Sequence, residues 1–190
     1  MRLEVSTPAA LQPASLAEVK AWGRITHDSE DDFITSLIKS ATTRVEMICK
    51  RAFITQIFTM YLDKWPGRAI DIPRPPFQTL TSFSYWPDGG SAYTAVDSNI
   101  YTLDDSGEVP ARIVLKEDNT WPEVEDRPAA VRLIYVAGYG DTSADVPQAI
   151  REGVQMLATH LYETRGAIDP MFREGLLNHL AAYRLIGVAS

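Results

Sequence analysis

The hydrophobic period of this chain switches twice along its length, and that double switch limits the folds open to it. Phe33, Ile34, Leu37, Ile38, Ala41, Val45 and Ile48 recur at the repeat of an α-helix over about five turns. After Ala52 the pattern changes. Val131, Leu133, Tyr135 and Ala137 alternate with Arg132, Ile134 and Val136, the period-two signature of a strand. From Pro147 the helical spacing returns, with Ile150, Val154, Leu157 and Leu161 on one stripe. Helices first, strands next and helices last predict an α+β chain, a helical core carrying an inserted antiparallel β domain. The expected boundaries are 1–51 for the first helical part, 52–140 for the β insert and 141–190 for the second helical part with its tail.

Local punctuation supports this division. Ser15-Leu16-Ala17-Glu18 is a capping box, so a helix starts there and Gly23 ends it. The long second helix is expected to begin near Ser29 or Asp31, where acids meet the positive end of the helix dipole. In the middle, strands are expected at 53–62, 69–72, 77–86, 91–94, 100–103 and 112–115, and through Tyr135. Trp65-Pro66-Gly67, Pro73-Arg74-Pro75-Pro76 and Pro87-Asp88-Gly89-Gly90 supply the breaks. Strands of this length and spacing suit a small barrel or sandwich. Gly138 and Gly140 end the last strand, with backbone angles that other residues avoid. Pro147 then opens a helix and Gly166 stops it. Asp169-Pro170 restarts the chain, and Phe172, Leu176, Leu180 and Tyr183 follow at helical spacing.

Catalytic chemistry has little to stand on in this sequence. His27, His160 and His179 fall in no metal-ligand pattern. His160 and Glu163 share the spacing of some di-metal helices, but the facing carboxylates those sites need are missing. No Gly-x-Ser-x-Gly elbow activates a serine. Gly138-Tyr139-Gly140 precedes a helix but lacks the lysine and hydroxyl residue of a phosphate loop. We therefore expect no enzyme activity, no metal and no cofactor. The lone Cys49 cannot form an internal disulfide and reads as a buried packing residue. No apolar run approaches the ~20 residues of a membrane span, and the first residues lack the apolar core of a signal peptide.

Charge adds a further exclusion. The net charge is −7, with acidic runs at 28–32, 104–105 and 123–126 and no basic cluster. A nucleic-acid grip normally concentrates Lys and Arg. The acids read either as solvated loops and helix starts or as the lining of a channel through which DNA slides without sticking.

Four blocks of this sequence resemble, in order, the head–tail connector (adaptor) proteins of long-tailed bacteriophages and gene transfer agents. They are SLAEVKAWGRITHDSEDDFITSLIKSATTRVE at 15–46, FITQIFTMYLDKWPG at 53–67, IPRPPFQTLTSFSY at 72–85, and the strand–helix segment at 121–165. Together they span nearly the whole chain. The resemblance implies a structural ring of twelve copies in the virion, between a portal protein and a stopper or tail-completion protein. It further implies that DNA passes through the lumen without specific binding, that no membrane is involved, and that assembly takes place in the bacterial cytoplasm. Connectors of this family dock portals through their C-terminal helices, which points to Phe172, Leu176, Leu180, Tyr183, Leu185, Ile186 and Val188 as partner-binding residues. Two other readings stay open at this stage. One is a carbohydrate-binding β module on a helical stalk, using Trp65, Tyr85, Trp86, Tyr93 and Trp121. The other is a small hydrolase with an atypical site.

Overall fold

The computed structural model describes residues 1–105, 107 and 109–185. The chain divides into two compact units, one formed by residues 1–8 and 55–138 and the other by 9–54 and 139–190.

The first unit is built of strands. Its larger sheet runs in the order β1 (Arg2–Thr7), β2 (Gln56–Leu62), β8 (Val131–Ala137), β4 (Phe77–Tyr85), β5 (Thr94–Ala95). The smaller sheet runs β3 (Ala69–Asp71), β7 (Arg112–Leu115), β6 (Tyr101–Asp104). Every pairing within the two sheets is antiparallel. The last strand in sequence is central, paired with β2 on one side and β4 on the other. Its Val131, Leu133, Tyr135 and Ala137 are fully buried and the residues between them are not, as the alternation predicts. Burying each large apolar side chain contributes roughly 1.5–3 kcal/mol. Tyr135 stacks on Phe58 with ring centroids 5.5 Å apart, and its hydroxyl donates to the Pro73 carbonyl at 2.8 Å. Phe83 of β4 meets Tyr101 of β6 edge-on at 5.2 Å, joining the two sheets through an aromatic contact.

One strand was not expected. The hydrophobic pattern places the N-terminal residues in a helical part, yet Arg2–Thr7 pairs with β2 as an edge strand, and residues 1–8 group with the β unit. The reason is physical. Period-two patterning arises when one face is buried, and β1 is exposed at every position except the half-buried Leu3. Two smaller differences occur at strand ends. The expected 91–94 strand is the two-residue β5 at Thr94–Ala95, and β2 begins at Gln56 rather than Phe53. Phe53 and Ile54 instead lie in the core of the helical unit.

The second unit holds α1 (Leu16–Trp22), α2 (Asp31–Cys49), α3 (Gln148–Glu163) and α4 (Pro170–His179). Short 3-10 turns occur at Ser143–Asp145 and Ala181–Tyr183. Ser15 and Glu18 form the predicted capping box at the start of α1, and the Gly23 amide closes it by donating to the Val19 carbonyl at 2.9 Å. Asp169 caps α4 by accepting the Phe172 amide at 2.8 Å. The predicted stripes meet in one core, where Ile34, Ile38, Ala41 and Val45 of α2 join Ile150, Val154, Leu157 and Leu161 of α3. Cys49 is completely buried there, and burial pushes its thiol up to about 11, far from a reactive thiolate. The fold is thus α+β, with four α-helices and two antiparallel sheets among the described residues.

Candidate partner-docking site

The residues expected to bind a partner lie in α4 and the segment after it, and the structure separates them into two groups. Leu176 is 3% exposed and Leu180 is fully buried in the core of the helical unit. Both side chains serve the core of their own subunit, and Leu176 leaves only a small part of its surface at the wall of an apolar groove. The cause is a close approach that spacing alone does not reveal. Gly153, in the middle of α3, leaves room for Leu180, because a Cβ there would fall 2.8 Å from Leu180 Cδ2. The chain beyond Leu180 also folds back. Arg51 Nε donates to the Tyr183 carbonyl at 2.8 Å, and the Leu185 amide donates to the Cys49 carbonyl at 3.3 Å. Phe172, Tyr183 and Leu185 remain half-buried. Ile186 and Val188 lie outside the described residues.

Beside this segment α2 and α4 flank an apolar groove of about 370 Å³. Met47, Ile48, Leu157, Ile168 and Leu176 line it, with Arg44 and Arg173 as its charged residues. Met47 is 62% exposed and Ile168 38%, so apolar surface continues outward from the groove. Met171, the second residue of α4, is 83% exposed. Nothing in the sequence pattern marks Met47 or Ile168. Met47 lies off the buried stripe of α2, and Ile168 falls in a loop, so neither belongs to a periodic pattern.

The histidines are used in packing and hydrogen bonding. His160 stacks flat on Phe172, with ring centroids 3.7 Å apart and planes 5° apart, and its Nε2 lies 3.7 Å from Asp169 Oδ2. His179 Nε2 lies 2.8 Å from the Ala149 carbonyl. His27 Nδ1 is 3.0 Å from the Ser29 hydroxyl. Among the described residues, no group of three His, Cys, Asp or Glu side chains is placed to hold a metal ion. The glycine turn before α3 is filled rather than open, since a Cβ on Gly140 would lie 2.5 Å from Asp145 Cγ. Asp145 in turn caps Thr142, accepting both its amide at 2.9 Å and its hydroxyl at 2.8 Å. Those bonds hold the Asp145 carboxyl below its usual range.

The acidic run at 28–32 is likewise taken up inside the helical unit. Lys20 Nζ donates to Asp28 at 2.5 Å and to Asp31 at 2.7 Å. Glu30 accepts from the Tyr162 hydroxyl at 2.5 Å and from Arg165 at 3.1 Å, and the Tyr162 bond leads in holding its carboxyl below the usual range. Arg151 bonds Glu18 across from α3 to α1. These contacts favour the reading of that run as helix-start chemistry over a channel lining.

The aromatics of the β unit turn their polar atoms inward. Trp65 stacks on Trp121 at 4.7 Å, and their indole N–H groups donate to the carbonyls of Pro122 at 2.8 Å and Gly67 at 2.7 Å. Trp86 donates to Gly90 at 3.0 Å and Tyr93 to Ala129 at 2.6 Å. A sugar-binding platform needs open faces and free polar rims, whereas these rings mostly cover one another.

Comparison with known proteins follows the same lines. Residues 13–76 match the family model described as phage gp6-like head-tail connector protein. No curated protein matches the sequence. Among solved structures, a chain from the neck of an empty gene transfer agent particle, computed with C6 symmetry, aligns at a TM-score of 0.81 and 23% identity. A chain from the virion of the native gene transfer agent particle aligns at 0.81 and 22%. A chain from the native neck, computed with C12 symmetry, aligns at 0.73 and 21%. Each alignment covers 100% of this chain and 98% of the other. At these identities the likeness is one of fold. The resemblance to head–tail connector proteins rests on two findings, the matched segment at residues 13–76 and a fold shared over the whole chain with chains of gene transfer agent particles.

Proposed function

We propose that this protein is a structural adaptor in the neck of a phage-like particle. In this reading it forms a closed ring of twelve between a portal protein and a stopper or tail-completion protein, and DNA passes through the central channel. The observation that carries the proposal is the coincidence of the connector segment at 13–76 with whole-chain similarity to chains from particles whose necks were computed with C6 and C12 symmetry. A structural role also accounts for side chains that are spent on packing and capping. The helical unit supports docking of the portal through the surface left open on α4 and after it, namely Met171, Phe172, Tyr183 and Leu185, with Ile186 and Val188 next in sequence. The direct test is to count copies of the protein in purified particles by quantitative mass spectrometry against the major capsid protein. Twelve copies per particle is the expected result, and one or two copies would end the ring reading.

A further inference from the structure

Among the described residues nine large hydrophobic side chains are exposed, and two of them, Met47 and Ile168, flank the groove between α2 and α4. Its charged residues are two arginines, Arg44 and Arg173, both exposed. Neither forms an ion pair among the described residues. Both are therefore open to carboxylates of an occupant, whereas Lys20, Arg112, Arg151 and Arg165 already hold carboxylates of this chain. An occupant complementary to this groove presents a compact apolar tip close to carboxylates. The β unit carries an exposed apolar side chain with an acid four residues before it. Val109, in the connection between β6 and β7, is 50% exposed. Of the two acids before it, Asp104 is held by Arg112 at 2.8 Å, while Asp105 commits only one carboxylate oxygen, to the Gly107 amide at 3.1 Å. Val5 and Phe33 also have acids nearby, but Glu4 is held by Arg2 at 3.1 Å, and Phe33 is covered by Tyr162 and Arg165.

We infer that the groove between α2 and α4 receives Val109 of a second copy of this chain, seated on Met47 and Ile168, with that copy's Asp105 facing Arg173. This rests on the ring reading and specifies the contact that closes the ring. A cyclic assembly repeats one face against a different one, so each subunit must carry two unlike, complementary surfaces. The groove belongs to the helical unit and Val109 to the β unit, which meets that requirement. The apolar floor supplies affinity, and the arginines fix which way the loop enters.

Cross-linking tests the contact in assembled particles. A disulfide needs Cα atoms within about 7 Å, so it reports contact closely. The double variant Met47→Cys with Val109→Cys is oxidised and run on a non-reducing gel. The native Cys49 is fully buried and does not interfere. A ladder of covalent multimers is expected from the double variant, and dimers at most from either single variant. Particles that contain rings by mass, yet give no ladder, would overturn the contact and leave the ring reading standing. A disulfide formed within one copy would overturn it as well. One or two copies per particle would remove both. A charge exchange gives an independent reading. Arg173→Glu should lower ring assembly by about tenfold, as loss of an interfacial ion pair does, and adding Asp105→Arg should restore it. Failure of the second change to rescue the first argues against the pairing.

Discussion

At the scale of single residues, the turn before α3 shows how one position can be required for a reason the sequence leaves ambiguous. Gly138 and Gly140 both invite an explanation from backbone freedom. Gly138 does take a positive φ of 140°. Gly140 is needed instead because it has no side chain, since a Cβ would meet the Asp145 carboxyl at 2.5 Å. Asp145 is not free to yield, as it is held by the Thr142 amide and hydroxyl. Gly140→Ala should therefore destabilise the protein by about 1 kcal/mol or more, the scale of a lost cap. The denaturant midpoint checks this. A midpoint unchanged or raised relative to wild type would mean that Asp145 relocates without loss.

At the scale of elements, α2 is tied at its start to the end of α3 by Glu30, which bonds Tyr162 and Arg165. The Tyr162 hydrogen bond, with Arg165 behind it, lowers the Glu30 pKa from its ordinary 4.5. A carboxylate with a depressed folded-state pKa contributes its full stability above the unfolded value and loses it as pH falls through the folded value. The stability difference between wild type and Glu30→Gln should thus be constant above about pH 5 and shrink toward zero below the usual glutamate range. Chemical denaturation of both proteins across pH 3 to 7 measures it. A difference that stays constant to pH 3 would show that the tie does not depend on charge.

At the scale of the whole molecule, the docking reading turns on where the chain stops serving its own core. Leu176 and Leu180 are buried, and backbone bonds at Tyr183 and Leu185 secure the segment to α2 and the residues just after it. Removing residues 186–190 spares all of these contacts. The shortened protein should keep its melting temperature within a few degrees while filled heads fail to acquire tails, scored by electron microscopy. Normal tail attachment would rule out a docking role for Ile186 and Val188. Truncation at Tyr183 is less informative, because it also removes the Leu185 amide bond to Cys49.

Periodicity alone determined the long elements of this protein. The α2 and α3 stripes, the β8 alternation and the Ser15 box are legible because each reflects local geometry or one face buried along its length. The four ordered blocks made the connector resemblance legible as well, since packing and turn signatures survive together only in order. What escaped the sequence has a common physical cause. β1 hides because an edge strand exposed on both faces carries no alternation. Leu176 and Leu180 look like docking residues because helical spacing says that a stripe needs cover without saying which surface supplies it. Only the tertiary fold, through the space that Gly153 leaves for Leu180, decides that this cover comes from the subunit's own α3. Met47, Ile168, Arg44 and Arg173 form a groove from separate elements, and such a juxtaposition exists only once the helices are packed.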